Sequence, residues 1–259
     1  MLDDIVMSKQ LEVEAAKERL PFEDLKARMA QYLADRSFRK AISVPGKLSL
    51  IAELKRKSPS KGMLRERFDP VSLAQTLQDA GAAALSVLTD EPFFGGQREF
   101  LRDVKQFTEI PVLRKDFIID PYQVYEAASF EADAVLLIVR ILTEEQLLQC
   151  MQAADLLGIE PLVEVHSANE LRLSLSIGAH VIGINHRDLQ TFKVEPALSE
   201  QLVPQIPSGK LIVAESGVQT AEDVKRMKRL GVHAVLVGEA LMTAADPAAK
   251  VRELFAGTW

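Results

Sequence analysis

Several residues in this chain have types and spacings suited to acid–base chemistry. Glu53, Lys55, Lys115, Glu164, Asn185 and Glu215 stand inside or at the ends of short apolar, β-rich runs, where a core strand tolerates charge poorly. Side chains two residues apart in a strand share a face, so Glu53 lies with Lys55, and Asn185 with Arg187. If these faces point to one centre, two lysines and three carboxylates surround one amide. Buried charges must be paired, and crowded acids and bases shift one another's pKa values. Such a cluster lowers stability, and its retention points to a function in proton transfer. A lysine among cations and apolar walls can have its pKa lowered toward neutrality. Glu53 or Glu215 alone would also suit a salt bridge at a strand end. Arg114 and Asp116 flank Lys115 on the opposite face and are expected to pair with surrounding helices rather than touch substrate. Arg56, Lys57 and Lys61 fall in a loop, where solvated charge is the default. The four histidines, His166, His180, His186 and His233, share no metal-ligand spacing, so no metal is expected.

A second signal concerns an anion. Ser216-Gly217 and Gly238-Glu239 each follow an apolar run near the C-terminus. Glycine lets the backbone approach a ligand closely, and main-chain N–H groups bind phosphate. Either glycine alone reads as a plain turn; the two together favour a phosphate site.

The elements that must position these residues repeat. Eight runs, at 48–55, 83–90, 111–117, 134–139, 160–165, 181–187, 211–216 and 234–239, recur about every 27 residues, the length of one βα unit. They are mostly continuous rather than alternating, as in a parallel sheet buried on both faces. Between them lie helix signals. Asp69-Pro70 and Asp120-Pro121 place a cap before a first-turn proline. Thr143 with Gln146 and Ser167 with Glu170 read as capping boxes, and Thr220 caps a segment with Asp223 in its first turn. Gly81, Gly158, Gly178 and Gly231 sit where the helices should stop. Eight strands with right-handed crossovers and helices close most simply as a (β/α)8 TIM barrel. An open doubly wound sheet would more often carry a Gly-rich turn after its first strand, and none is present. In a barrel the chemistry sits at the C-terminal strand ends, where the acid–base residues fall.

Residues 1–45 lie outside the repeat and hold two amphipathic stretches, 3–18 and 22–41, split by Pro21. We read them as an N-terminal helical extension that caps a barrel end or lies over its mouth. The barrel then occupies 46–259, in a single domain overall. The 259 residues suffice for one such domain. The lone cysteine, Cys150, excludes an internal disulfide and reads as a buried core thiol, in keeping with a reducing, cytoplasmic location. The acidic start is not a secretory signal, and the longest apolar stretch, 134–139, is far too short to span a bilayer. A net charge of -6 argues against non-specific nucleic-acid binding but leaves a small phosphorylated substrate open. We expect no nucleic-acid or membrane partner, and a monomer or weak homodimer.

The segment IAELKRKSPSKG, Ile51 to Gly62, closely resembles the signature of indole-3-glycerol-phosphate synthases. The likeness continues through LSVLTDEPFFGG, PVLRKDFIID, LLIVRILTEEQL, EPLVEVHSANEL, IGINHRDLQTF, VAESGV and VLVGEALM, covering the barrel in order. The resemblance implies a carboxy-lyase of tryptophan biosynthesis. Such an enzyme converts 1-(2-carboxyphenylamino)-1-deoxyribulose 5-phosphate to indole-3-glycerol phosphate, carbon dioxide and water, without a cofactor. Carried over by position, it implies that Lys115 is the general acid for ring closure and Glu164 its acid–base partner. Lys55 resembles the second catalytic lysine, near the substrate carboxylate. Glu53 and Asn185 would orient it and hold the sugar hydroxyls, while Glu215 and Arg187 position substrate. Ser58, Ser216, Gly217, Gly238 and Glu239 would cradle the phosphate. Phe94, Phe117, Leu136 and Ile138 would form the pocket for the anthranilate ring.

Three positions depart from the family's usual pattern. His186 stands where Asn or Ser is more usual and should alternate outward. Ser129-Phe130-Glu131 replaces a small-residue turn, and Gly95 falls in EPFFGG. Two rival functions differ in their residues. An isomerase acting on an aminated ribulose phosphate would use paired carboxylates, or an acid and a thiol, at strand ends, but Cys150 lies mid-helix. A catalytically silent barrel would be expected to lose costly buried charges, and here all of them stand.

Overall fold

The computed structural model describes residues 1–188, 190–191 and 193–258. Its centre is a closed barrel of eight parallel strands, each hydrogen-bonded to its sequence neighbours and the last to the first. These are β1 (Ser49–Leu54), β2 (Ala84–Leu88), β3 (Val112–Lys115), β4 (Ala134–Ile138), β5 (Glu160–Val165), β6 (Val181–Asn185), β7 (Leu211–Glu215) and β8 (Ala234–Val237). All eight fall within the runs read from the sequence.

Strand alternation divides the core in two. Ile51, Leu113, Leu136, Leu162, Val181, Val213 and Leu236 fill the barrel interior. Leu50, Ala52, Leu85, Val135, Val163, Ile182 and Val235 face outward and pack under the helices. Register then places the charged residues together. Leu88 pairs with Lys115, Ile138 with Glu164, and Asn185 with Glu215, so these residues form one layer at the C-terminal mouth, above the apolar fill.

The helices begin where their caps direct. Asp69 accepts from the Val71 and Ser72 amides, and Asp120, Thr143 and Thr220 each form a complete capping box. At Ser167 only half the expected box forms. Ser167 accepts from the Glu170 amide, but the Glu170 carboxylate turns to the His166 amide instead. Gly158 ends its helix at φ 65°, a left-handed stop that glycine adopts without cost. In the turn before β4, Glu131 itself takes φ 65°, where glycine would be easier. Cys150 is buried in the helix Glu144–Leu157, and burial pushes its thiol pKa up to about 12. Among the described residues no helix is long and apolar enough to cross a membrane.

The N-terminal residues form a strap from mouth to base. The first helix, Leu2–Arg19, inserts Lys9 between Asp90 and Asp116 at the mouth. Further along, the Tyr122 hydroxyl donates to the carbonyls of Ala16 and Leu20. The second amphipathic stretch is not one helix but two, Phe22–Arg28 and Phe38–Ile42. The chain between them spends its polar groups on the barrel flank: Ala34 N donates to Leu157 O, and Arg36 to the carbonyls of Ile110 and Lys105. Fully buried Phe38 and Ile42 then join the interior apolar cluster from below. The extension therefore reaches both ends of the barrel.

Candidate active site

A cleft of about 1000 Å³, open to solvent, lies over the C-terminal strand ends. The sixteen residues assigned to the site from the sequence all line it. At its floor the Lys115 ammonium sits 4.0 Å from each of Glu53 Oε1, Glu164 Oε2 and Glu215 Oε2. It is central to the three carboxylates and in direct hydrogen-bond contact with none, so a substrate oxygen can enter between them. Burial alone would push the Lys115 pKa down, but Glu164, Glu53 and Glu215 outweigh it and hold the pKa above the ordinary lysine value. This corrects the expectation of a lysine shifted toward neutrality: its neighbours are carboxylates, not cations.

The three acids differ in environment. Burial opposes ionisation of Glu53, but Lys55, at 2.5 Å from Oε2, with Lys115 and Arg187, holds its pKa below the usual range. Glu215 is pushed well above its ordinary value by burial and by the Glu164 carboxylate beside it. Glu164 and Glu215 are buried side by side on neighbouring sides of Lys115, and that crowding opposes ionisation of Glu215.

Two glycines make room for these acids. A Cβ on Gly183 of β6 would lie 2.2 Å from Glu215 Oε1, and one on Gly238 would lie 2.1 Å from Glu53 Oε2. Neither was singled out from the sequence for this reason, although a glycine inside a strand signals a close approach.

One wall is apolar. Phe94 and Phe117 stand with ring centroids 5.9 Å apart, and Leu136 and Ile138 complete the surface. Phe94 is carried by a four-residue helix after β2, Glu91–Phe94, which Asp90 caps and Gly95 ends at φ 65°. The opposite side is polar. Asn185 Oδ1 accepts from the Arg187 amide, and the Arg187 guanidinium donates to Glu239 Oε2 at 3.3 Å. Ser216 takes a left-handed φ of 65° and Gly217 one of 79°, turning the chain after β7 over the cleft. A short helix, Glu239–Met242, starts there after Gly238. Ser58 joins this side from a two-stranded hairpin, Lys57–Ser58 against Gly62–Met63. Lys57 reaches across to donate to Pro92 O, so that one lysine of the loop is not simply solvated.

Both residues of the flanking pair bond to surrounding helices, as expected of their pairing. Arg114 is fully buried and bonds Asp116, Glu126 and the Gln123 carbonyl. Asp116 also borders the cleft, while Arg114, Lys9 and Thr89 hold it ionised, its pKa far below the ordinary range despite burial. His186 points away from the cleft. Its Nδ1–H donates to Ser216 O, and Nε2 accepts from the Ser199 hydroxyl; burial lowers its pKa and favours this neutral form. Among the described residues no group of histidines, cysteines and acids is placed to hold a metal ion.

Sequence reasoning missed Lys9. Its signal was there: Leu2, Ile5, Lys9, Val13 and Ala16 form the buried stripe of the first helix, with one lysine on an otherwise apolar face.

The barrel resembles solved phosphosugar enzymes at low identity. A 3-hexulose-6-phosphate synthase superposes with a TM-score of 0.65 at 16% identity, over 82% of this chain and all of its own. The enzyme of that name from Salmonella typhimurium gives 0.64 at 18%, over 80% and 96%. These likenesses concern the fold alone. The sequence is closer to other proteins. Indole-3-glycerol phosphate synthase of Roseiflexus castenholzii is 45% identical over 98% of this chain and 97% of its own. That of Caldanaerobacter subterraneus is 47% identical over 93% of each. The sequence pattern of the indole-3-glycerol phosphate synthase family matches residues 2–254, and the chain belongs to that family.

Proposed function

We propose that the cleft closes the indole ring of indole-3-glycerol phosphate with Lys115 as general acid and Glu164 as its acid–base partner. The chain, as a member of this family, is a carboxy-lyase of tryptophan biosynthesis. The observation that supports these roles is the Lys115 ammonium, held charged 4.0 Å from three carboxylates and beside an apolar wall.

The substrate, 1-(2-carboxyphenylamino)-1-deoxyribulose 5-phosphate, lays its aromatic ring against Phe94, Phe117, Leu136 and Ile138. Lys115 donates a proton to the ketone oxygen as the ring carbon bearing the carboxylate attacks the carbonyl carbon. A carbon–carbon bond forms, and the carbonyl becomes a hydroxyl. Lys55, steered by Glu53, holds the carboxylate until it leaves as carbon dioxide, and its bonding electrons restore aromaticity. The new hydroxyl leaves as water as its C–O bond breaks, protonated by Lys55, while Glu164 takes a proton from the adjacent methylene carbon, whose C–H electrons form the ring double bond and complete the indole. The electrons stay within the substrate, so the chemistry calls for no cofactor. Each positioned acid or base contributes about 10²–10⁴-fold.

Asn185 takes the sugar hydroxyls, and Glu215 and Arg187 fix the chain's direction. Ser58, Ser216, Gly217, Gly238 and Glu239 bring hydroxyl and main-chain groups to the phosphate, at the site after the last two strands that many barrels use. The Glu239 carboxylate is turned to Arg187, which leaves its amide for the anion.

The test is stoichiometry. Carbon dioxide release and indole absorption should rise together, one for one, from this substrate; carbon dioxide without indole, or neither from folded protein, would refute the assignment.

A further inference from the structure

Beside the cleft lies a histidine that the mechanism above leaves without a task. His166 follows Glu164 by two residues on β5 and its flank, so the two side chains leave the strand on the same side. Its side chain is 3% exposed, and it does not line the cleft. His166 Nε2 stands 3.3 Å from Glu164 Oε1, and Nδ1 stands 3.4 Å from Glu170 Oε2. Glu170 is itself fixed three ways. Its Oε2 accepts from the His166 amide at 2.7 Å, its backbone is capped by Ser167, and its Oε1 accepts from Arg140 Nε at 3.1 Å. Arg140 continues to Asp188 at 2.9 Å. Burial raises the Glu170 pKa, but His166 and Arg140 outweigh it and keep the carboxylate ionised.

The two oxygens of Glu164 thus face different ways: Oε2 toward Lys115 and Oε1 toward the imidazole. Neither oxygen, and neither ring nitrogen, makes a well-aligned hydrogen bond in this state. Buried polar atoms seldom stay so; one ring can serve two carboxylates when both its nitrogens carry hydrogen, and a modest turn of such a ring would donate one N–H to each. A carboxylate that must give and take a proton needs a fixed orientation as well as a suitable pKa, and a ring gripped between two acids provides one.

We propose that His166 is the positioning residue for Glu164: clamped from behind by Glu170 and Arg140, it holds Oε1 so that Oε2 is presented to Lys115 and the substrate. The proposal rests on the reading of Glu164 as the acid–base partner. It assigns His166 no contact with substrate.

Asn and Gln separate the two ring contacts. The amide nitrogen of Asn falls near the position of Nδ1 and reaches Glu170 only; that of Gln falls near Nε2 and reaches Glu164. We expect His166→Asn to lower kcat about 10–100-fold, the usual effect of losing such a support, with KM changed less than about threefold. His166→Gln should recover most of kcat, and Glu170→Gln should fall between them. A merely structural histidine would give equal losses in Asn and Gln variants that track their melting temperatures, and that result overturns the proposal. So does a wild-type kcat in His166→Asn while Glu164→Gln is inactive. A wild-type kcat in Glu164→Gln would instead remove the reading beneath it. If His166→Asn does not fold, Glu170→Gln decides: a kcat no lower than wild type overturns the clamp, and a lowered kcat with an unchanged melting temperature supports it.

Discussion

Gly183→Ala probes the packing of the acid cluster with a single methyl group. The glycine lies inside β6 and takes no positive φ, so alanine meets no backbone strain. The added Cβ would stand 2.2 Å from Glu215 Oε1, against an ordinary contact of 3.4 Å or more, and 3.2 Å from Leu162 Cδ1. Leucine can give by the few tenths required. The Glu215 carboxylate must move by about 1 Å, and it is buried beside Glu164 and Lys115, which are carried by their own strands. Overpacking of this kind costs about 1–3 kcal/mol of stability. A 1 Å misplacement in a catalytic site costs about 10²-fold in rate. We therefore expect kcat/KM to fall about 100-fold while the melting temperature drops by several degrees. The assay is steady-state indole fluorescence, with circular dichroism for the melt. A kcat/KM within about threefold of wild type in a stable variant would mean that Glu215 is not held where activity requires it.

Other outcomes follow from the same geometry. Glu215→Gln should lower kcat yet stabilise the fold at neutral pH. The folded-state pKa of Glu215 is raised, so the ionised acid costs stability as pH rises above the ordinary carboxylate value; thermal melts across pH should show the variant's advantage growing in that direction. Lys9→Met leaves Asp90 and Asp116 buried without their ammonium and should cost about 3–5 kcal/mol in urea unfolding at neutral pH. The Asp116 pKa is depressed, so this loss should be complete above about pH 4 and shrink as pH falls below it; a loss unchanged at low pH would contradict the ion-pair account. Phosphoribosyl anthranilate should not be turned over, and EDTA should leave the rate unchanged; isomerisation of the former or inhibition by the latter would call for different chemistry.

Most of the barrel was legible because its signals are local and repeated. Most strands lie in continuous apolar runs, and the helices that start after Asp69, Asp120, Thr143, Ser167 and Thr220 are announced by their caps, whereas those that start at Glu99 and Leu198 carry no side-chain cap. That the candidate site residues share one cleft was legible because charge inside a run such as IAEL or LVEV conflicts with burial, and such a conflict points to function. What escaped was set by distance in sequence. Lys9 finds Asp116 more than a hundred residues away, and nothing near either residue names the other. The break between Arg28 and Phe38 also depends on partners elsewhere, since Ala34 and Arg36 bond the flank at Leu157, Ile110 and Lys105. The raised Lys115 pKa escaped because its sign depends on which charges surround it, and only register places three carboxylates around it. Glu170 shows the limit of a motif: Ser167 and Glu170 have capping-box spacing, yet Glu170 serves His166 and Arg140.

The most direct test of the central claim is to mix purified protein with 1-(2-carboxyphenylamino)-1-deoxyribulose 5-phosphate and follow indole fluorescence, for wild type and for Lys115→Ala. The account predicts a rising signal from wild type and a kcat lower by orders of magnitude in the variant, with modest change in substrate binding. An unchanged kcat in folded Lys115→Ala would contradict it.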